Sequence, residues 1–371
     1  MRVLHVIPSV SERSGGPATA IVPMCRALSE QGIDVVFATT DHGFSRKQLD
    51  SEGEYKGVAA RFFPVQFGES FKYSRPFAAW LAAHVREFDL VHIHAVFNHA
   101  SVAAAAACRD AGVPYVVRPL GTLDPWSMKQ KPVRKKLFWF VSGRKMLERS
   151  AAVHYTAAAE KEATEKYLGL NHGRVIALGV EVNGFPRIQN PQNPFVLSLS
   201  RLHPKKGLEA LIDAVKARKP DSWRLVIAGD GPSDYVQFLK QKACGSERIV
   251  FTGWVEGERK EELLRNASLF ALPSYQENFG LSALEAMAHR VPVLVTPQVN
   301  LAQEIEAANA GWVIEREELG RGLDGVLNNE ADLTTRGGAA YEFAKRYSWE
   351  KAALNLVNLY REIECSSKSL L

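Results

Sequence analysis

Short apolar runs alternate with longer amphipathic stretches along the whole chain. In the N-terminal half, the runs that predict buried strands lie at residues 3–7, 35–38, 61–63, 90–93, 115–117, 152–155 and 175–177. In the C-terminal half they lie at residues 195–198, 224–227, 249–251, 269–271, 293–295 and 312–314. Helical periodicity fills most of the gaps. Such strand–helix repeats are typical of parallel sheets covered on both faces, so the pattern predicts an α/β protein with two doubly wound domains.

A polar stretch without periodicity separates the two series. It contains Pro186, Pro191 and Pro194 and favours a connection rather than an element. We therefore expect an N-terminal domain at residues 1–182, a linker at 183–194 and a C-terminal domain at 195–347. Residues 348–371 follow as a separate segment, with an amphipathic helix predicted from about Trp349 to Ile363.

Composition narrows the class of protein. At 371 residues, two domains are a better expectation than one very large core. The net charge of +5 is too small to demand nucleic acid as a partner. The four cysteines are scattered without a C-x-x-C pair, which argues against a zinc site and favours a reducing cytosol. No secretory signal or membrane span is recognisable, so a cytoplasmic location with at most peripheral membrane contact is expected.

The chemically richest segment follows the apolar run at residues 267–272. Pro273 and Ser274 end that run, and a helical pattern begins near Leu281. Asn278, Phe279 and Gly280 therefore lie at a helix start, where free N–H groups and the helix dipole favour an anion. Glu277 comes just before this anion site, and Glu285 about one turn into the helix. A nucleotide diphospho-sugar has the matching shape, because hydroxyl groups flank its diphosphate on both sides.

The segment Pro-Ser-x-x-Glu-x-Phe-Gly-Leu-x-x-Leu-Glu-Ala-Met resembles the E-x7-E signature of retaining GT-B glycosyltransferases, especially glycosyltransferase family 4. The resemblance implies two Rossmann-like domains facing across a cleft, with the C-terminal helix at 348–371 crossing back to the N-terminal domain. It also implies that Glu277 faces the donor sugar and that Glu285 holds the ribose hydroxyls.

Two cations are expected beside the donor diphosphate. Arg201 and Lys206 lie in Ser-Arg-Leu-His-Pro-Lys-Lys-Gly, directly after the first strand of the C-terminal domain. Such charges neutralise a diphosphate and stabilise it as a leaving group. The spacing is similar to the family's Arg-Leu-x-x-x-Lys-Gly pattern, which implies donor-phosphate contacts for both residues. A solvated basic loop is the alternative.

Three further loops are similar to donor-binding loops of the family. The resemblance implies that Gly229 and Asp230 lie near the nucleotide and that the base lies near Trp254 and Val255. Mere packing of Trp254 is the alternative. In the first domain, Gly15 and Gly16 expose N–H groups at a helix start, and the family's glycine-rich loop implies a phosphate contact there. A plain tight turn remains possible. The loop is not a G-x-G-x-x-G fingerprint, so a nicotinamide cofactor gains no support.

Histidines and an arginine follow two strands of the first domain. His92, His94 and His99 could suggest a metal, but no acidic partners lie at ligand spacing. The chain also lacks Asp-x-Asp, so neither a metal nor another cofactor is expected. The Arg-Pro-x-Gly segment starting at Arg118 departs from the commonest family pattern, whose sugar-facing His would fall at Leu120. Arg118 and His94 are therefore expected to act in catalysis, with His99 and Asp124 on the acceptor side.

Residues 129–149 carry eight Lys or Arg against the single acid Glu148, interrupted by the aromatic run Leu-Phe-Trp-Phe-Val. Such a segment can lie on anionic lipid headgroups. The alternative is a helix with a packed aromatic face and a solvated basic face.

Together these features predict a metal-independent, retaining hexosyltransferase that uses a nucleotide diphosphate sugar, with UDP-hexose such as UDP-glucose as the first choice. Its acceptor is expected to be a glycan or lipid-linked saccharide in exopolysaccharide or cell-envelope polysaccharide synthesis, at the inner face of the plasma membrane. Two alternatives stay open: a nucleotide-sugar epimerase of similar fold, and a catalytically silent sugar-binding subunit.

Overall fold

The computed structural model describes residues 1–11, 15–44, 53–130, 132–182, 194–218 and 223–368. The chain divides into two compact units. The N-terminal unit comprises Met1–Gly179 together with Trp349–Leu371, and the C-terminal unit comprises Val180–Ser348.

The N-terminal unit is built on one sheet. Its strands are β1 (Arg2–Val6), β2 (Asp34–Thr40), β3 (Glu54–Tyr55), β4 (Val58–Phe63), β5 (Leu90–His94), β6 (Tyr115–Arg118), β7 (Ala152–Tyr155) and β8 (Gly173–Val175). Its helices are α1 (Gly16–Glu30), α2 (Arg75–His84), α3 (His99–Ala111), α4 (Pro125–Lys129), α5 (Pro132–Phe138), α6 (Arg144–Glu148) and α7 (Ala158–Leu168). The strand order is β3-β4-β2-β1-β5-β6-β7-β8, and the short β3 is antiparallel to β4.

The C-terminal unit repeats the same architecture. Its strands are β9 (Phe195–Leu199), β10 (Arg224–Ala228), β11 (Ile249–Gly253), β12 (Leu269–Leu272), β13 (Val293–Val295) and β14 (Gly311–Val313). Its helices are α8 (Leu208–Lys216), α9 (Ser233–Ala243), α10 (Gly257–Asn266), α11 (Leu281–Ala288), α12 (Ala302–Ala307), α13 (Leu319–Leu327) and α14 (Glu330–Ala344). The strands run parallel in the order β11-β10-β9-β12-β13-β14.

Strand order places the ligand-binding edge in each unit. In a doubly wound sheet, the loops after the two strands where the order reverses diverge and leave a crevice at the strand carboxyl ends. That point lies between β1 and β5 in the N-terminal unit and between β9 and β12 in the C-terminal unit. The loops that follow these four strands are therefore the ones that can surround a ligand.

The predicted fold is confirmed: both halves are doubly wound α/β units, and every strand expected from the apolar runs is present within a few residues. The two-residue β3 was not predicted, because it has no apolar run of its own. Helix α1 begins at Gly16, with Gly15 as its N-cap.

The borders between the parts differ slightly from those expected. The C-terminal unit begins at Val180, because the Val180 N–H bonds to the Tyr347 carbonyl and residue 180 pairs with Ser348. Apart from Pro194, the expected linker lies outside the described residues. The last helix, α15 (Trp349–Lys368), is longer than expected and packs on α1 of the N-terminal unit.

None of the helices among the described residues combines the length and apolar character needed to cross a bilayer.

Candidate functional site

The loops after β9 and β12 are joined at the switch point of the C-terminal unit. The Tyr275 N–H donates to the Lys205 carbonyl at 2.8 Å. Gly207, with φ near +63°, lies so close to the Pro273 carbonyl that a Cβ would overlap it. Only glycine fits this approach, and the short 3-10 turn Pro204–Lys206 is thereby held against the second loop.

This contact brings Lys206 and Glu277 together. The Lys206 ammonium donates directly to the Glu277 carboxylate, and both side chains are mostly buried. Burial alone would raise the pKa of Glu277, but the charges of Lys206 and Lys205 and the hydrogen bonds from Lys206 and the Asn278 N–H outweigh it and lower that pKa. Glu277 is therefore an ionised carboxylate at neutral pH, held beside a cation.

The start of α11 lies next to this pair. Gly280 is its N-cap in the left-handed conformation, and the first turn carries no acidic residue and no side-chain cap. Phe279 is buried, with its ring 5.9 Å from Tyr347, while Asn278 and Leu281 are half-buried. The first N–H groups of a helix have no partner within the helix, so a turn of this kind is suited to an anion.

Two buried polar atoms beside Glu277 lack a hydrogen-bond partner within the described part of the chain. They are the Ser274 hydroxyl and the Gln276 side-chain oxygen. Buried polar groups in folded proteins are nearly always bonded, so atoms of this kind point to a polar ligand or ordered water. Both atoms lie on the loop between β12 and α11.

Glu285 lies on the first turns of α11 and is already paired. Its carboxylate accepts from the Lys260 ammonium at 2.8 Å, and both groups are about one-fifth exposed. One turn later, His289 bonds to the Glu285 carbonyl and to the Glu261 carboxylate. Helices α10 and α11 are thus tied together along the face that carries Glu285.

Arg201 and Gly229 lie on neighbouring loops after β9 and β10. The Ser200 N–H bonds to the Ala228 carbonyl, and the Leu202 N–H bonds to the Asp230 carbonyl. A Cβ on Gly229, whose φ is near +142°, would collide with the Ser200 carbonyl, so only glycine allows the two backbones to come this close. Arg201, held between these contacts, is exposed, as is Asp230.

Trp254 and Val255 follow β11 at the edge of the same sheet. The Gly229 N–H donates to the Gly253 carbonyl at 2.8 Å, which places this loop beside the glycine turn. The Trp254 side chain is 37% exposed and Val255 is half-buried. The ring is therefore accessible rather than packed into the core.

Lys260 and Arg316 were not identified by sequence reasoning. The Arg316 guanidinium donates to the Ser274 carbonyl and to Gln298, and it lies 3.9 Å from the Tyr275 ring centre. It braces the loop that carries Glu277, although it lies far from that loop in sequence. No local pattern marks such a contact.

In the N-terminal unit, Gly15 and Gly16 form the start of α1. Gly15 is the N-cap at φ near +81°, without a side-chain cap, and no described atom lies within 4 Å of a Cβ built on either glycine. Among the described residues, no side chain or backbone therefore blocks this helix start.

His94, which the sequence analysis expected to act in catalysis, is fully buried in a chain of imidazoles at the end of β5. Its Nε2 contacts His5 Nδ1 at 3.0 Å, and Tyr360 of α15 lies 3.5 Å from His5 Nε2 and 2.7 Å from His92 Nδ1. The chain continues from His92 Nε2 to His154 Nδ1 at 3.2 Å and from His154 Nε2 to the Ile176 carbonyl at 2.7 Å. His5, His154 and Tyr360 were not predicted, although His5 and His154 occupy apolar strands where they break the pattern.

The groups at the two ends of this hydrogen-bonded chain of imidazoles determine which ring nitrogen carries the proton in each histidine. The Arg118 guanidinium, 3.4 Å from His94 Nδ1, can only donate, and the Ile176 carbonyl can only accept. Each neutral imidazole has one donor and one acceptor nitrogen, so all four rings must carry the proton on Nε2, and the Tyr360 hydroxyl must donate to His92. These tautomers are assigned from the network.

Burial keeps the four imidazoles neutral. Desolvation, reinforced by neighbouring charges such as Arg118, lowers the pKa of His5 and of His154 to about 3 and that of His92 and His94 well below the ordinary value. One nitrogen from each of His5, His92 and His94 lies within 4.8 Å of the other two, a spacing that could attract a metal ion. All six already have hydrogen-bond partners, so the protein itself satisfies this cluster.

Arg118 is buried at the end of β6. Burial lowers its pKa to about 10, partly offset by the carboxylate of Glu160, which accepts from the Gly121 and Thr156 N–H groups. The next residues include Leu120 at φ near +60°, and Ala95 after β5 has φ near +71°. Strained positions of this kind cluster at functional sites.

His99 and Asp124 have identifiable structural partners. His99 begins α3 and its Nδ1 accepts from the Ser74 N–H at 3.2 Å. Asp124 is the N-cap of α4 and accepts from the Ser127 N–H and hydroxyl at 2.9 Å. Asp124 is nearly buried, whereas His99 is half-buried beside Phe71 and Tyr73.

Two family models match nearly the whole chain. A glycosyl transferase 4-like domain matches residues 15–181, and the glycosyl transferases group 1 model matches residues 184–343. Both switch-point loops of the C-terminal unit fall within the second match.

Individual relatives extend this finding. The chain is 26% identical to a GDP-mannose:cellobiosyl-diphosphopolyprenol alpha-mannosyltransferase of Xanthomonas oryzae, over 98% of this chain and 97% of that protein. It is 34% identical to an uncharacterized glycosyltransferase of Methanocaldococcus jannaschii, over 45% of this chain and 44% of that protein, so this match spans less than half of either. The solved structure of HepE from Anabaena, in complex with UDP and glucose, has a TM-score of 0.78 and 21% identity, over 98% of this chain and all of that one.

Proposed function

Because the chain belongs to the family-4-type glycosyltransferases of the GT-B fold, we propose that it is a retaining hexosyltransferase that uses UDP-hexose. The acceptor in this proposal is a lipid-linked saccharide or growing glycan in exopolysaccharide or cell-envelope synthesis, reached at the cytoplasmic face of the membrane. The full-length likeness to an enzyme named for a diphosphopolyprenol-linked acceptor supports this acceptor class.

The observation that carries the proposal is the Lys206–Glu277 pair at the switch point. Lys206 and Arg201 neutralise the donor diphosphate, together with the N–H groups at Phe279, Gly280 and Leu281. Asn278, whose N–H bonds to Glu277, borders the donor. Glu277, ionised beside Lys206, accepts hydrogen bonds from sugar hydroxyls. Glu285 exchanges Lys260 for the ribose hydroxyls, while Gly229, Asp230, Trp254 and Val255 border the nucleotide.

The proposed transfer needs no metal ion, because cations and helix N–H groups can stabilise the departing diphosphate. The bond between the anomeric carbon and the diphosphate oxygen breaks, and the acceptor oxygen bonds to that carbon from the same face. The acceptor proton passes to a phosphate oxygen of the leaving group. This accounts for retention without a covalent enzyme intermediate, so trapping a glycosyl-enzyme adduct would refute it.

Residues of the N-terminal unit have proposed roles as well. The open turn at Gly15 and Gly16 suits a phosphate. Arg118 supplies a buried positive charge, and His94 holds that guanidinium in place rather than contacting sugar, because its ring is enclosed. His99 and Asp124 stay acceptor-side candidates in this proposal. To contact the acceptor, His99 would have to give up its bond from the Ser74 N–H, and Asp124 its bonds from Ser127.

GDP-mannose is a second candidate donor. The Xanthomonas relative is named for GDP-mannose, whereas the HepE structure holds UDP. Trp254 and Val255 border the base position in this proposal. Because backbone groups make most of the expected base contacts, the side chains do not distinguish a uracil base from a guanine base.

The test is thermal stabilisation by UDP, GDP and ADP, followed by turnover with the matching sugar nucleotides. Wild type should be stabilised by UDP. Glu285→Ala should weaken UDP binding about tenfold, because it removes the carboxylate proposed to hold the ribose hydroxyls, and the weaker affinity should appear as a smaller stabilisation at the same UDP concentration. Glu306→Ala on the exposed face of α12 is the control and should bind UDP normally. Stabilisation by GDP alone would replace UDP-hexose with GDP-mannose, and binding without turnover would favour a silent sugar-binding subunit.

A further inference from the structure

Residues 132–148 form an almost continuous helix that presents apolar side chains to solvent. The helix α5 continues through a π-helical turn, Trp139–Gly143, into α6. Four large apolar side chains on it are exposed: Val133 (79%), Leu137 (66%), Phe140 (77%) and Val141 (70%). They follow the spacing i, i+4, i+7 and i+8, which places them along one face.

This outer face is separate from the face that packs on the protein. Phe138 and Trp139 pack on the core of the N-terminal unit, Phe138 lies 5.1 Å from Phe97 ring to ring, and Met146 and Leu147 are buried. The inner face of this helix therefore makes the contacts with the hydrophobic core. The exposed face is not needed to close the fold, and clustered exposed apolar groups mark an interaction site.

The charges around the exposed face identify its partner. Arg134, Lys136 and Lys145 are exposed along the same helix, and Lys129 precedes it. Lys135 points inward instead, with its ammonium bonded to the Ser127 carbonyl and lying over the Phe97 ring. The acid of the segment, Glu148, is paired with Arg144 at 2.7 Å. Apolar side chains bordered by cations match a bilayer surface with anionic headgroups.

We propose that the outer face of residues 132–148 docks on an anionic lipid bilayer, with Leu137, Phe140 and Val141 in the acyl boundary and Arg134, Lys136 and Lys145 on the headgroups. Docking of this kind would bring the enzyme to a lipid-linked saccharide. This link to the acceptor is the one part of the inference that rests on the proposed function. The docking itself requires no glycosyl transfer.

The test is binding of the full chain to vesicles, measured by co-sedimentation. Vesicles of phosphatidylcholine with phosphatidylglycerol should bind wild type, and vesicles of phosphatidylcholine alone should bind it far more weakly. Leu137→Ser with Phe140→Ser should weaken binding at least about tenfold. Arg134→Gln with Lys136→Gln should weaken it about thirtyfold at low salt, since each basic residue contributes about 1 kcal/mol near an anionic surface.

Matched controls lie elsewhere on the surface. Phe238→Ser with Val250→Ser removes two exposed apolar side chains of the C-terminal unit, and Lys166→Gln with Lys240→Gln removes two exposed cations from other helices. Both control variants should bind vesicles like wild type. Equal losses in test and control variants, or no vesicle binding by wild type, would overturn the proposal.

Two further measurements separate the possible failures. Wild type and Leu137→Ser with Phe140→Ser should sediment alike without vesicles; a concentration-dependent dimer abolished by the substitutions would assign the face to a second copy instead. Stabilisation by UDP should be the same in all docking variants. Absent UDP binding with intact vesicle binding would refute the donor site but not the docking surface.

Discussion

The C-terminal unit holds full charges at its switch point, whereas the N-terminal unit holds neutral imidazoles at the corresponding strand ends. Lys206–Glu277 and Lys260–Glu285 are ion pairs whose side chains keep 15–24% of their surface exposed, so a charged ligand can reach them and take the place of one partner. The four imidazoles between Arg118 and Ile176 are buried, and every one of their ring nitrogens has a hydrogen-bond partner. The first arrangement suits ligand exchange, and the second suits a rigid support, because any unpaired member of a buried chain is costly.

The largest expected difference between the two clusters is their response to acid. The folded pKa values of His5, His92, His94 and His154 all lie below the ordinary 6.5, so protons bind the unfolded chain more readily. Stability is therefore full above about pH 6.5 and is lost as pH falls towards 3, by ~1.4 kcal/mol per pH unit for each imidazole. Urea unfolding between pH 8 and pH 5.5 should show this loss.

A matched variant identifies the source of that acid sensitivity. His154→Gln removes one of the four buried imidazoles and should reduce the pH slope by about one proton. An unchanged slope would mean that the buried chain is not what binds protons on unfolding.

Breaking the charged pair should affect catalysis next most strongly. Lys206→Ala should lower kcat by about 100- to 1000-fold, because it removes a cation from the developing diphosphate charge. Lys205→Ala, which leaves the contact between Lys206 and Glu277 in place, should have a much smaller effect. Initial rates with the donor identified by nucleotide binding would measure both, and equal effects would show that the pair has no special role.

Breaking the neutral chain should affect stability instead of chemistry. Tyr360→Phe removes the hydroxyl between His5 and His92 and should reduce the free energy of unfolding by about 2 kcal/mol, since buried partners are left unbonded. Tyr341→Phe is the control, because the Tyr341 ring contacts Arg290 and retains that contact without the hydroxyl. Loss of UDP binding in Tyr360→Phe would show that the chain does more than support the unit.

The smallest expected loss of stability is at Asp124. Two substitutions there distinguish a role in helix capping from a role in acceptor binding. Asp124→Ala should cost about 1 kcal/mol of unfolding free energy, and Asp124→Ser should restore most of it, because serine also caps helices. Turnover should persist in both variants. A loss of more than tenfold in the serine variant, despite normal stability, would make Asp124 an acceptor contact.

Local pattern predicted the strands because buried parallel strands are apolar along their length, as residues 269–272 show. It predicted the start of α11 because Gly280 and the helical period lie next to each other in sequence. Lys260 and Arg316 could not be found in this way, because they meet Glu285 and the Ser274 loop from other elements. His94 was misjudged because strand position does not show how deeply a strand end is buried.

By itself, the sequence determined two α/β units, the loops that follow each strand, and the family signature around Glu277. Periodicity and short motifs encode these features within a few residues of each other. The tertiary structure alone decided that Lys206 pairs with Glu277 and that His5, His92, His94 and His154 form one chain with Tyr360. Strand order determines which side chains become neighbours, and their burial then determines which of them carry charge.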